Sequence, residues 1–232
     1  MNRAEEVSKI ISGKNSVEAI KSLTEIFPGK VVFSTSLGYE DQVISHLIFS
    51  QNIPVHVFTL DTGRLFKETY SVLNNTIEKY KKQIKVYFQK NEILEKVVSE
   101  KGPYSFYTSI ENRKECCYIR KVEPLKRALA GSQIWITGIR SDQSGERKEM
   151  KEIEWDETNQ IIKYHPLLNW SLEDVKKFIK LHNIPYNVLH DKDFVSIGCE
   201  PCTRAVKPGE DFRSGRWWWE NSSAKECGLH KN

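Results

Sequence analysis

The stretch KVVFSTSLGYEDQVISHLIFS, residues 30–50, decides the fold. A β-branched run from Lys30 to Thr35 meets a Gly-containing turn, and Asp41 to Ser50 then carries Val43, Ile44, Leu47 and Ile48 at helical spacing. A strand feeding a helix through one turn is the repeating unit of a parallel sheet. The cycle recurs. VHVFTL at 55–60, the turn at 61–63 and a polar-faced helix from Leu65 to Tyr80 make a second; IKVYFQ at 84–89 and ILEKVVSE, with Asn91 as helix cap, make a third. Residues 117–130 predict another helix and QIWITG at 133–138 another strand. The expectation is a doubly wound α/β domain whose mostly parallel sheet is covered on both faces.

Working outward, residues 4–27 read as helical up to the Pro28-Gly29 break, Gln160 to Tyr164 as a strand, and Ser171 to Leu181 as a helix. From 184 to 232 periodicity gives way to Gly, Pro, Cys, Arg and Trp. With no internal repeat and no low-complexity linker, 232 residues predict a single domain. It comprises an N-terminal helical segment at 1–29, an α/β core at 30–183 and a tail at 184–232.

Hydrophobic residues at 39% and charged residues at 28% exclude a disordered or fibrous chain. No apolar run approaches the ~20 residues that span a bilayer. The N-terminus shows no apolar h-region, so the chain is expected in the cytoplasm, where disulfides are disfavoured. The net charge of +4 falls short of a nucleic-acid stripe and suits an anionic small molecule as well.

Ligands of an open parallel sheet sit at the carboxyl ends of its strands. The first such turn, Ser34 to Asp41 with Ser36 and Gly38, offers hydroxyls and amides ahead of a helix N-terminus, which suits phosphate or sulfate. An ordinary capped serine turn explains it equally well, and it is neither a Walker loop nor GxGxxG. A later turn, Gly138 to Arg147, brings Arg140, Gln143 and Arg147 to a strand end, where guanidinium matches oxyanions; alone it reads as a solvated loop. Arg213 and Arg216 precede three tryptophans, which more readily pin a tail to a core than stack on a base.

Five cysteines fall as Cys116-Cys117, Cys199-x-x-Cys202 and Cys227. Four clustered cysteines in a reducing compartment point to a metal centre, with zinc and iron-sulfur both open. Adjacent side chains diverge, so a wide cluster accommodates the pair better than one small ion. Cys227, between Lys225 and His230, is a stray thiol unless something recruits it.

Taken in order, STSLGYED, LDTG at 60–63, ECCYIRKVEPL, GIRSDQSGER, Cys199-Glu-Pro-Cys202, RSGRWWWE and the final ECGLH resemble the assimilatory adenylyl-sulfate reductases, from about residue 30 onward. The resemblance implies a fold like the adenine nucleotide α-hydrolase or ATP-pyrophosphatase group. It implies a [4Fe-4S] cluster on Cys116, Cys117, Cys199 and Cys202, and Cys227 as nucleophile. The turn with Ser34, Ser36, Gly38 and Asp41 would hold nucleotide phosphate or ribose, and the Leu60 backbone the adenine. Lys121, Arg140, Arg213 and Arg216 would surround the phosphosulfate, and His230 closes the tail motif. The implied reaction is reduction of adenosine 5'-phosphosulfate to sulfite and AMP, in sulfate assimilation and cysteine biosynthesis, through an S-sulfocysteine. Thioredoxin or a glutaredoxin-like dithiol would be the reductant and a dimer or tetramer the assembly, with no nucleic-acid or membrane partner. A reductase of the 3'-phosphorylated nucleotide, or of both nucleotides, is the nearest alternative. An ATP-using thiolation enzyme of the same fold and a nucleic-acid-binding module are more distant ones.

Overall fold

Among the residues that the computed structural model describes, 3–143 and 145–220, runs of aliphatic residues become short strands, and helical stripes become the segments between them. In chain order these are α1 (Arg3–Ile11), α2 (Ser16–Ile26), β1 (Val31–Ser34), α3 (Tyr39–Ser50), β2 (His56–Asp61), α4 (Lys67–Tyr80), β3 (Lys85–Phe88) and α5 (Asn91–Lys101). There follow α6 (Ile110–Cys117), a π-helical turn (Tyr118–Val122), α7 (Glu123–Leu129), β4 (Ile134–Ile136), β5 (Ile153–Asp156), β6 (Ile161–Tyr164) and α8 (Leu172–Leu181). The sheet has six strands in the order β3-β2-β1-β4-β6-β5. β1 pairs in parallel with β2 and β4, β4 in parallel with β6, and β5 runs antiparallel to β6. Strand order reverses at β1, so the turns leaving β1 and β4 flank a topological switch point, where open α/β sheets bind ligands.

The chain divides into two compact units. The first is Met1–Thr59, Lys67–Lys85 and Gly131–Val188; the second is Leu60–Phe66, Val86–Ala130 and Leu189–Asn232. The first has an aliphatic core in which Val31, Phe33, Ile134, Ile136 and Ile162 of the strands are buried with Ile20, Leu23, Val43, Ile44 and Ile48 of the helices. The second buries Phe106, Trp217, Cys117, Cys199 and Cys202 together, with Cys116 and Trp219 packed against them.

Four local expectations change. The helical stretch over 4–27 is two helices, because Asn15 caps α2 in a reciprocal box with Glu18 and Gly13 turns the chain at φ 74°. Asn91 does not cap α5; Lys90 takes the extended cap position without a side-chain bond, and Asn91 is the first helical residue. The helix expected over 117–130 starts earlier, at Ile110, where the Ser109 hydroxyl accepts from the Asn112 amide at 3.1 Å, and it widens into a π-turn after Cys117. β5, which the sequence reading leaves out, pairs with β6 and carries half of a buried ion pair, Asp156 to Lys163 at 2.8 Å.

Candidate functional site

In the first unit the turn after β1 is organised by a carboxylate. Asp41, in the first turn of α3, accepts from the Ser36 amide at 2.5 Å and the Ser36 hydroxyl at 2.6 Å. Burial pushes its carboxyl up to about 6, against the lowering effect of those donors. Gly38 takes the cap position of α3 with extended backbone, and Ser34 accepts from the Trp135 indole N–H at 2.7 Å. Gly138 lies so close that a Cβ there would collide with the Asp41 carboxylate and meet Glu40 Cβ at 3.2 Å; the two turns touch only because residue 138 is glycine.

Arg140 is buried. Its Nε donates to Glu40 at 2.8 Å, and its NH1 donates to Asp142. Gln143 accepts from the Arg140 amide at 3.1 Å and from Arg147. The loop is thus a polar lattice around Gln143, with its guanidiniums engaged by carboxylates and an amide.

The second unit assembles the cysteines. Cys116 and Cys117 end α6, while Cys199 caps and Cys202 ends a single 3₁₀ turn, Glu200–Cys202. None of the four is in a disulfide, and together they line one pocket walled by Arg64, Arg113, Arg120, Lys121 and Arg216, with Phe106 and Trp217 completing the lining. Residues four apart on a helix share a face, so Arg113 stands with Cys117, and Cys116 with Arg120. The neighbouring π-turn keeps Lys121 on the cavity as well. Gly198 lets the Arg216 guanidinium lie against the backbone, for a Cβ there would meet its central carbon at 2.6 Å.

The electrostatics are uneven. Burial pushes the Cys202 thiol up to about 12. Burial also raises Cys199, but Lys121, the Thr62 hydroxyl 3.3 Å away, Arg216 and Arg120 outweigh it and hold the thiol below its ordinary value. Among the described residues, three buried nitrogens of the wall, Arg64 NH1, Arg216 Nε and Trp217 Nε1, have no hydrogen-bond partner. Among the described residues no three His, Cys, Asp or Glu side chains converge as ligands of one ion. Buried donors without acceptors are costly. The donor set therefore suits an anionic group bound through sulfur.

Of the residues expected at a site, the cysteines, Lys121 and Arg216 meet at this cavity. Leu60 lies on β2 and Arg213 in the segment before Arg216, and neither lines it. Cys227 and His230 lie outside the described residues. The sequence reading passed over Arg64, Arg113 and Arg120; the spacing of Arg113 and Arg120 from the cysteine pair was the available signal.

Residues 30–205 match the family model of the phosphoadenosine phosphosulfate reductase domain. A protein of Burkholderia cepacia named adenosine 5'-phosphosulfate reductase is 48% identical over 201 residues, 87% of this chain and 80% of that one. The crystal structure of phosphoadenylyl-sulfate reductase from Candida auris, a phosphate complex, superposes with TM-score 0.74 at 25% identity, covering 89% of this chain and 97% of that one. Candida glabrata FMN adenylyltransferase, at TM-score 0.55 and 16% identity over 93% of this chain and 79% of that one, shares the fold alone.

Proposed function

The chain belongs to the phosphoadenosine phosphosulfate reductase family, and on that premise we propose that it reduces adenosine 5'-phosphosulfate to sulfite and AMP with electrons from an external dithiol. The observation that carries this reading is the meeting of four cysteines, from two distant segments, in one cavity walled by five cations. Curated relatives at 48% identity that are named for this activity support it.

Cys116, Cys117, Cys199 and Cys202 would hold a [4Fe-4S] cluster, whose net negative charge and sulfide acceptors answer the unpartnered N–H groups around them. When bound, the cluster supplies a structural anchor and a fixed charge beside Lys121. The chemistry on substrate belongs to the protein's own groups. The sulfur of a phosphosulfate is electrophilic but shielded by anionic oxygens, so an attacking thiolate needs cations beside it; Lys121, Arg213 and Arg216 supply them. The Ser34 to Asp41 turn, with Ser36 and Gly38, together with Gly138, Gln143 and Arg147, holds the nucleotide, and the Leu60 backbone reads its adenine. Arg140, engaged with Glu40 and Asp142, shapes that loop.

The Cys227 thiolate attacks the sulfur, an S–S bond forms, and the S–O bond breaks with its electron pair leaving on AMP. A thioredoxin-type thiolate then attacks Cys227 Sγ and expels sulfite. Its second thiol resolves the mixed disulfide, returning Cys227 as a thiol and leaving the dithiol oxidised by two electrons. Among the described residues no helix is long and apolar enough to cross a membrane.

The test is steady-state reduction with thioredoxin at fixed salt. Sulfite and AMP are expected in equal amounts, with kcat/KM higher for adenosine 5'-phosphosulfate than for its 3'-phosphorylated form. The reverse ranking overturns the substrate assignment, and no sulfite from either nucleotide overturns the reading.

A further inference from the structure

The segment from Arg204 to Arg216 is a loop built around one carboxylate that the mechanism above does not use. Its ends are joined, since Thr203 and Arg216 form an isolated β-bridge and the Arg204 amide donates to the Gly215 carbonyl at 3.0 Å. Inside the loop Glu210 gathers four donor groups. Arg204 grips it through NH1 at 2.7 Å and NH2 at 3.0 Å, the Lys207 amide donates at 2.9 Å and the Ser214 hydroxyl at 3.2 Å. These donors, Arg204 foremost, hold the Glu210 carboxyl down at about 2. The chain beyond Glu210 is bonded almost residue by residue. The Ser214 amide donates to the Asp211 carbonyl at 2.9 Å, the Arg213 amide to the Asp211 carboxylate at 2.8 Å, and the Arg216 amide to the Arg213 carbonyl at 3.0 Å. The backbone of Arg213 is therefore held at both its amide and its carbonyl, in a turn whose next residue is fastened to Glu210.

We propose that Glu210 is a positioning residue for Arg213, setting in advance the turn from which that cation meets the sulfuryl end of the substrate. The inference rests on the reading of Arg213 as a substrate cation given above. An arginine side chain loses rotamer freedom when it takes up an anion, and binding is weaker still if the backbone beneath it must be ordered in the same event. With the turn tied through Ser214, only the side chain remains to be fixed. The partner of Glu210 matters as well. An unpaired carboxylate three residues from a cation meant for an oxyanion would repel that oxyanion, whereas a planar guanidinium on both its oxygens cancels the charge and fixes its plane. A partly exposed ion pair does little by itself. Here the carboxylate is shared among Arg204, Lys207 and Ser214, so removing it frees the loop at all three places.

The experiment is a double-mutant cycle on the full-length chain purified anaerobically: wild type, Glu210→Gln, Arg213→Ala and the double variant. Calorimetry gives Kd for two probes, AMP and a non-reacting analogue of adenosine 5'-phosphosulfate in which a methylene group replaces the oxygen between phosphorus and sulfur. Only the second presents a sulfonate. Glu210→Gln is expected to weaken the analogue about tenfold, the scale of one charge-assisted hydrogen bond, while AMP stays within about twofold of wild type. Once Arg213 is alanine, Glu210→Gln should change nothing further, because it acts through that side chain. Equal weakening of both probes, or an undiminished loss in the Arg213→Ala background, overturns the proposal and leaves Glu210 a brace of the loop. An analogue affinity unchanged by Glu210→Gln overturns it too. Should Glu210→Gln fold poorly or lose its visible absorbance, Ser214→Ala, which removes one tie and keeps the ion pair, takes its place in the cycle, with the same pattern expected at about threefold and the same results overturning it. An analogue affinity unchanged in Arg213→Ala overturns the reading of Arg213, and the inference with it.

Discussion

The core of the first unit is largely aliphatic, with Phe33, Ile44, Ile134 and Ile136 all but inaccessible to solvent. The second unit buries thiols, two aromatic rings and guanidinium groups where an aliphatic core would otherwise be. The first closes on itself, since area removed from water stabilises it at about 25 cal/mol per Å² whatever is bound. The second brings together like charges and unpaired N–H groups, an arrangement costly until an anion joins it. Two units of one chain thus differ in what fills their cores: aliphatic side chains in one, thiols, aromatic rings and guanidiniums in the other.

The largest effect should come from breaking that dependence. Cys199→Ser removes one thiol from the cavity, and the account expects loss of visible colour, of iron and sulfide near four each per chain, and of activity, with a fall in folding yield. Stoichiometric zinc with full activity in the wild type would break the comparison. A smaller and opposite test lies in the first unit. Lys163 and Asp156, both fully buried, pair at 2.8 Å; Lys163→Met should cost about 3–5 kcal/mol by stranding the carboxylate. The drop should appear in denaturant melts of the first unit while cluster absorbance in the native protein is unchanged. The smallest effect is a pH slope. Burial raises Asp41 to about 6 from an ordinary 3.8, so between those values the native chain holds a proton that the unfolded chain has released. Stability therefore rises as pH falls from about 6 toward 4, by up to about 1.4 kcal/mol per pH unit. Subtracting the Asp41→Asn profile isolates this slope, and parallel profiles for the two proteins would refute it.

The two units also differ in how legible they were. Aliphatic alternation and helical stripes placed β1, β2, β4, β6 and most helices of the first unit within a few residues, because burial against a sheet imposes those periods directly. β5 escaped because IEWD, residues 153–156, offers only one aliphatic side chain and owes its pairing to the neighbouring β6, whereas the capping box at Asn15 was legible in SGKNSVE, residues 12–18, and was passed over. In the second unit the cysteines announced themselves by type, whereas the cations around them did not. Arg113 and Arg120 flank the cysteine pair at helical spacing, a signal that was passed over, whereas Arg64 looks like ordinary surface charge until the turn after β2 brings it to the same wall. The engagement of Arg140 with Glu40, 100 residues away in sequence, is a tertiary pairing that local pattern does not encode.

The central claim, that this chain transfers sulfonate to its own Cys227, is met most directly by mass spectrometry of the cluster-loaded protein mixed with adenosine 5'-phosphosulfate in the absence of any dithiol. The account predicts one sulfonate per chain, on the C-terminal peptide containing Cys227, with an equal amount of AMP released, and no adduct in Cys227→Ser. An adduct on Cys116, Cys117, Cys199 or Cys202, or AMP released with no adduct at all, would contradict it.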